Sequence, residues 1–193
     1  MAARFPISAN DGFSNYPEIG NLQIQVNGKT VPTRRIMGED PYYGSDLVPW
    51  VEFDVTFPPG QDVNIRVSYH LSGMGEYPFV SFNYIMATGT GWNDTIGSAD
   101  LILRLPYAAN TYNVILDQQI GWSQTTAGAT LVGNEVRWRY ADLEPTYEHN
   151  LDIALVMPSV WQKVLAEQAN VARDPNDGEA WGRLGKLYKE ISF

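Results

Sequence analysis

The densest group of side chains that could do chemistry lies in the stretch GTGWNDTIG, residues 89–97. Trp92 provides an aromatic face on which a sugar ring can stack, and Asn93 and Asp94 provide an amide and a carboxylate that can bond to hydroxyl groups. The same residues also suit a structural crossing, in which glycines allow a tight backbone and the indole plugs the end of a core. We predict the crossing and keep Trp92, Asn93 and Asp94 as the leading ligand candidates of the β body.

A second group of aromatic and acidic residues occurs in the loop that contains Tyr42 and Tyr43. Aromatic rings beside carboxylates suit sugar stacking, so these two tyrosines join the candidate ligand residues. Oxygen-rich loops at Asp11, Glu39-Asp40 and Asn93-Asp94 hold the ligand type that calcium prefers. Because such residues usually bond to their own backbone, we predict no cofactor and keep calcium as an alternative.

The signatures of catalysis are weak. His70 and His149 are far apart in the sequence and lie near predicted strand ends, so solvent-exposed histidines are favoured over a metal pair. No serine lies in a nucleophile elbow, and the sequence has no glycine-rich phosphate-binding signature. No spacing selects two carboxylates for glycoside hydrolysis. The sequence therefore predicts a protein that is not an enzyme, with no catalytic or metal-binding residue.

Charge and composition exclude several classes of partner. The chain of 193 residues has a formal net charge of −9, which repels polyphosphates and anionic membrane surfaces, so we predict no nucleic-acid partner. It contains no cysteine, which excludes a disulfide scaffold, thiol catalysis and a zinc–thiolate site. No apolar run approaches the roughly 20 residues that a membrane span needs.

Period-two alternation of apolar and polar residues dominates the chain before Pro158 and predicts about nine strands, among them 22–26, 51–57 and 63–69. Asn27-Gly28 predicts a two-residue type I′ hairpin turn, because both positions need positive φ. We therefore expect a mainly β protein in which residues 1–158 form an antiparallel β-sandwich, immunoglobulin-like or jelly-roll.

After Pro158 the apolar spacing becomes helical. Val160, Trp161, Val164 and Leu165 fall at i, i+3 and i+4 positions, and the segment DPNDG interrupts this pattern before a second apolar stripe begins. Residues 159–193 are therefore predicted to form two helices that pack as a hairpin.

The second predicted helix carries a known pattern. Residues 181–188 read WGRLGKLY, which resembles the helix A signature of tetratricopeptide repeats at Trp181, Leu184, Gly185 and Tyr188. The resemblance implies a helical array that binds a protein or peptide segment, and a chain that continues beyond Phe193. In such an array the small glycine lets the paired helix approach closely, while the other three side chains fill the seam.

A bare apolar helix stripe would be unstable in water. We therefore expect the sandwich or a second copy of the chain to cover it, the second case being a homo-oligomer through the C-terminal helices. Trp161 and Trp181 are expected to join the helices to each other or to the sandwich.

The β body resembles an uncharacterised family of exported bacterial domains of unknown function. The matching features, within about residues 5–105, are the Phe5-Pro6 start, the Asn27-Gly28 hairpin, the Pro58-Pro59-Gly60 turn and the loop from Thr88 to Gly97. This resemblance implies an extracytoplasmic location, in the periplasm, on the cell surface or secreted. It implies no catalytic residue.

These observations predict a non-catalytic, exported scaffold or protein-interaction protein, in which a β-sandwich is joined to the start of a tetratricopeptide-type region. The alternative is a carbohydrate- or calcium-binding β-sandwich module that uses the aromatic and acidic loops around Tyr42, Tyr43 and Trp92.

Overall fold

The computed structural model describes residues 1–9, 18–40, 46–89, 94–120 and 123–192. The chain divides into two compact units, Met1–Ser72 and Gly73–Phe193. Of the predicted ligand residues, Tyr42, Tyr43, Trp92 and Asn93 lie outside the described residues.

The described residues of the first unit form two three-stranded antiparallel sheets. Their strand orders are β1-β5-β4 and β3-β2-β6. The strands are β1 (Ala2–Pro6), β2 (Gly20–Val26), β3 (Lys29–Thr30), β4 (Arg34–Glu39), β5 (Leu47–Asp54) and β6 (Ile65–His70).

The two sheets of the first unit share one hydrophobic core. Val51 and Phe53 of β5 and Ile24 of β2 are buried in it, together with Ile7 and Val55. On β5 the buried Val51 and Phe53 alternate with the less buried Glu52 and the exposed Asp54, as the period of a strand requires. The alternation in the sequence therefore predicts correctly which face of β5 is buried.

The turn between β2 and β3 has the conformation that its sequence predicts. Asn27 and Gly28 have φ values of 48° and 77°, and the flanking Val26 and Lys29 are paired across the hairpin. Positive φ at both central positions is the requirement of a type I′ turn, so this prediction is confirmed.

The second unit contains two further three-stranded antiparallel sheets, a two-stranded ribbon and two helices. The sheets have the orders β12-β13-β8 and β7-β14-β9, and β10 pairs with β11. The elements are β7 (Phe79–Tyr84), β8 (Ile96–Arg104), β9 (Val114–Ile115), β10 (Gln119–Ile120), β11 (Ser123–Gln124), β12 (Thr130–Val132), β13 (Glu135–Leu143), β14 (Leu151–Val156), α1 (Pro158–Arg173) and α2 (Gly178–Glu190), with short 3₁₀ turns at Met86–Gly89 and Tyr147–His149.

The helical hairpin begins and turns where the sequence predicts. Pro158 occupies the first turn of α1, where its missing N–H removes no intrahelical bond. The Asp177 carboxylate caps α2 by accepting hydrogen bonds from the backbone N–H groups of Glu179 and Ala180, at 2.9 and 3.0 Å. Neither α1 nor α2 is long and apolar enough to cross a membrane, and the described ranges contain no other α-helix.

The helices share a core with the sheets of their own unit. Trp161 of α1 and Leu184 of α2 are buried in the same cluster as Trp138 of β13 and Leu155 of β14. The indole of Trp161 lies 6.1 Å from the ring of Tyr107, between centroids. Sheets of the same chain thus cover Val160, Trp161 and Val164 of the predicted apolar stripe without a second copy, whereas Leu165 is 42% exposed.

The predicted fold class is confirmed: the chain is mainly β with antiparallel sheets, and a helical hairpin follows at its C-terminal end. The partition differs from the single sandwich expected over residues 1–158. Each unit has its own core and pair of three-stranded sheets, and the helices belong to the second. Pro158 marks the change from strand to helix within that unit.

Strand pairing differs from chain order at two places. The strands on either side of Pro58-Pro59-Gly60 do not form a hairpin, because β5 pairs with β1 and β4 whereas β6 pairs with β2. Similarly, β7 pairs with β14 and β9, while β8 pairs with β13. The connection that contains the GTGWNDTIG stretch therefore crosses from one sheet to another.

Candidate functional site

The described part of the predicted loop site favours a structural role. Asp94 has a φ of 68°, and its Oδ1 accepts a hydrogen bond of 2.9 Å from the backbone N–H of Thr95. This local bond stabilises a turn conformation that non-glycine residues seldom adopt, and it occupies one of the oxygens offered to a ligand.

The two histidines make separate local contacts. His70 Nδ1 lies 2.9 Å from Asn21 Nδ2 in the first unit, and His149 Nδ1 accepts from the backbone N–H of Thr146 at 3.1 Å in the second. Within the described ranges, no cluster of three or more His, Asp or Glu side chains is arranged to hold a metal ion.

The predicted helix-packing residues divide into buried and exposed groups. Trp161 and Leu184 are buried, with 3% and 7% of their surfaces exposed, as packing residues should be. Tyr188 is partly buried; its hydroxyl accepts a hydrogen bond of 2.7 Å from Gln168 Nε2, and its ring meets Tyr112 edge to face at 5.9 Å. These three residues hold the hairpin together.

Trp181 and Gly185 do not fill the seam between the helices, and this part of the prediction is corrected. Trp181 is 53% exposed, and its Nε1 donates to the backbone oxygen of Pro175 at 3.0 Å. A Cβ placed on Gly185 would meet no atom within 4 Å, so no helix approaches this glycine closely. The reason is geometric: α1 and the sheets lie against the Leu184 side of α2, and these two residues lie on the exposed side.

The hairpin instead forms a groove on its polar side. Lys163, Ala166 and Glu167 of α1 are spaced i, i+3 and i+4, so they share one face of that helix. The groove has a volume of about 390 Å³, in the range of small-ligand sites. Its other lining residues are Arg183, Lys186, Leu187 and Glu190 of α2, with Tyr77 from the segment before β7.

Both carboxylates of this groove already have partners. Arg183 Nε donates to Glu167 Oε1 at 3.0 Å, and Asn170 Nδ2 donates to Glu167 Oε2 at 3.1 Å. The Tyr77 hydroxyl donates to Glu190 Oε2 at 3.0 Å. The bond from Arg183 holds the pKa of Glu167 below its ordinary value, and the bond to Glu190 raises the pKa of Tyr77. Both carboxylates therefore accept bonds from the protein itself.

The two lysines of the groove differ from its carboxylates in their pairing. Among the residues that the structure describes, no salt bridge involves Lys163 or Lys186, although both line the groove. With Arg183 they provide three bases against two acids, which is a local positive excess on a chain whose net charge is −9. The groove thus presents unused hydrogen-bond donors beside the apolar side chains of Ala166 and Leu187.

The fold has a counterpart among solved structures. The chain is similar to a crystal structure from Legionella pneumophila subsp. pneumophila str. Philadelphia 1 described as a "putative nutrient binding protein", with a TM-score of 0.61 and 21% sequence identity. The similarity covers 88% of this chain and 59% of the other, so this chain spans about three fifths of that protein's length. At this identity the likeness shows a shared fold.

No family model matches the chain, and no curated protein matches it. The resemblances to tetratricopeptide repeats and to exported domains of unknown function therefore stay predictions.

Sequence reasoning did not identify the groove. Lys163 and Lys186 could have been placed on polar helix faces from their spacing, because the opposite faces carry the apolar stripe. The sequence could not show that these two faces meet. Nothing in the sequence near Tyr77 indicates its partner Glu190, which is 113 residues away.

Proposed function

We propose that this chain is a non-catalytic, exported binding protein that captures an acidic peptide segment of a partner protein on its helical hairpin. The observation that carries the proposal is the pair Lys163 and Lys186, which face the groove without acidic partners among the described residues. A carboxylate of the bound segment accepts charge-assisted hydrogen bonds from these two ammonium groups.

The groove has a shape suited to a short segment. The face from Arg183 to Glu190 covers two turns of α2, which is about 10 Å at 1.5 Å per residue. An extended peptide rises about 3.3 Å per residue, so roughly three residues lie along this face. Acidic side chains of the segment meet the lysines, and an apolar neighbour contacts Leu187 and the ring of Tyr77.

The negative charge of the rest of the chain does not prevent this binding. Residues 160–193 contain equal numbers of basic and acidic groups, so the whole excess of acids lies before them. At physiological ionic strength, charges farther apart than about 8 Å are largely screened from one another. A short acidic peptide therefore responds to the local bases, whereas a long polyanion also meets the acidic surface and is repelled.

The shared fold with a protein described as "putative nutrient binding protein" supports a binding role. Export rests on the resemblance of the β body to exported bacterial domains.

Fluorescence polarisation with labelled octapeptides tests the proposal. A library of peptides that combine Glu or Asp with Leu is compared with the same peptides in which Gln or Asn replaces each acid. We expect saturable binding of acidic members that weakens as salt is raised. The double variant Lys163→Gln/Lys186→Gln should bind at least tenfold more weakly.

Lys189→Gln is the matched control, because Lys189 is an exposed lysine of α2 that does not line the groove. It should leave binding unchanged. Equal binding of acidic and neutral peptides, or an equal loss in Lys189→Gln, would contradict the proposed function.

A further inference from the structure

A second groove lies in the first unit, on the outer face of the sheet β1-β5-β4. Val51 and Phe53 of β5 point into the core, so Trp50 and Glu52 between and beside them lie on the opposite face. Trp50 is only partly buried there. A large aromatic side chain in this position is available to a ligand.

The backbone of β4 fixes where the indole lies. Trp50 is paired with Ile36, and its ring reaches diagonally to Gly38, two residues further along the same face. A Cβ on Gly38 would stand 2.8 Å from Trp50 Cδ1 and 2.9 Å from Nε1, so only glycine leaves room for the ring. Trp50 Nε1 also donates to the backbone oxygen of Glu39 at 3.0 Å. The indole is therefore held in place before any ligand arrives.

The groove beside this ring has a volume of about 420 Å³ and combines apolar and polar groups. Trp50 provides the apolar surface, and Arg4, which lies on the same face of the sheet, provides a guanidinium group. Glu39 and Leu47, which pair with each other at the end of β4 and β5, complete the lining. Arg4 is positioned by the bond from its Nε to Glu52 Oε2 at 3.0 Å, which leaves its two terminal nitrogens outside that ion pair. The Glu52 carboxylate already pairs with the charge of Arg4, so the groove favours a neutral ligand.

We infer that the groove formed by Arg4, Gly38, Glu39, Leu47 and Trp50 binds a pyranose ring of a neutral saccharide. The C–H groups on one face of a pyranose carry partial positive charge and are attracted to the negative face of the indole. Hydroxyl groups at the edge of the sugar can accept hydrogen bonds, so they match the terminal nitrogens of the Arg4 guanidinium.

A peptide strand and a cation fit less well. A strand would pair with a sheet edge through its backbone, whereas Trp50 lies on the face of the central strand β5. A cation would be attracted to the ring but would meet the guanidinium of Arg4 in the same groove. This site is in the first unit and does not depend on the helical hairpin or on the proposed function.

Calorimetric titration of the whole chain with cellohexaose, hexa-N-acetylchitohexaose and mannohexaose tests the inference. We expect saturable binding of at least one of these neutral hexasaccharides. Trp50→Ala should weaken that binding more than tenfold, and Trp181→Ala, which removes the exposed indole of α2, should leave it unchanged. If none of the three sugars binds, or if Trp50→Ala binds as tightly as the wild type, the inference is overturned.

Two further variants test the geometry rather than the presence of the ring. Gly38→Ala should weaken binding because the new methyl group displaces the indole, while Gly97→Ala on β8 has open space and should have no effect. Unchanged binding in Gly38→Ala would also overturn the inference.

Discussion

Among the described residues, each of the two units contains its own pair of three-stranded antiparallel sheets. The units differ in what completes their hydrophobic cores. The buried cluster of the first unit contains five apolar residues among those described, and that of the second contains fifteen. Six of these fifteen come from α1 and α2, so the helical hairpin is a structural component of the second unit. The apolar side of the hairpin is used by the fold, and only its polar side remains for a partner.

The two candidate grooves differ in the same way. The groove on the helical hairpin has an excess of bases, and its two acids already have partners. The groove beside Trp50 has an arginine that is already paired with a carboxylate and an aromatic ring in a fixed position. The comparison suggests two ligands of different chemistry, one acidic and one neutral.

Truncation in the smaller core should have the largest effect. Phe53 is 4% exposed, and Phe53→Ala should destabilise the first unit by about 3–5 kcal/mol, through lost burial and a residual cavity. Because each unit has its own core, we expect hydrogen exchange to accelerate in β2 and β5 while α1 stays protected. Equal loss of protection in α1 would show that the two units unfold as one.

Removal of Trp161 tests whether the hairpin is part of the second core. Trp161→Ala should also lower the free energy of unfolding by about 3–5 kcal/mol, because a buried indole is replaced by a cavity beside Tyr107. Chemical denaturation monitored through protection of β13 and β14 measures the effect. Trp181→Ala is the matched control, and because this indole is exposed we expect a change within about 0.5 kcal/mol. Similar losses in both variants would contradict the assignment of the two faces.

The smallest effect concerns the ion pair in the helical groove. Arg183 lowers the pKa of Glu167 from its ordinary value of 4.5 in the folded chain. The stability that this pair contributes is therefore complete above pH 4.5 and is lost as the pH falls through the lower folded-state pKa. Unfolding free energies of wild type and Glu167→Gln should differ at about pH 6 and converge toward about pH 3.

Glu179→Gln provides the comparison for that experiment. The Glu179 carboxylate is 93% exposed and lies 3.8 Å from Arg183 Nη1, so its removal should change the free energy of unfolding less. A constant difference between wild type and Glu167→Gln across this pH range would show that the pair does not shift the carboxyl pKa.

Local features of the fold could be predicted because neighbouring residues determine them. Asn27-Gly28 requires positive φ whatever surrounds it, and Asp177 caps α2 through backbone groups two and three residues away. Periodicity correctly placed the buried side chains Phe53 and Trp161. These signals depend only on the chain near each residue.

The candidate sites could be predicted only in part. Tyr77 and Glu190 meet across 113 residues, and no periodicity in either segment identifies the other. Gly185 was read as a close-packing glycine, yet a glycine shows only that space is available and not that a neighbour occupies it. For the same reason the sequence does not reveal the role of Gly38. There the indole of Trp50, on the neighbouring strand, occupies the space beside the glycine.

The amino-acid sequence by itself determined the mainly β composition, the hairpin turn, the start of the helices and the buried face of β5. Only the tertiary structure decided that β5 and β6 belong to different sheets, that the hairpin completes the second core, and that Lys163 and Lys186 line one groove. The physical reason is that alternation of apolar and polar residues predicts which face of an element is buried away from water. It does not predict which distant surface covers that face.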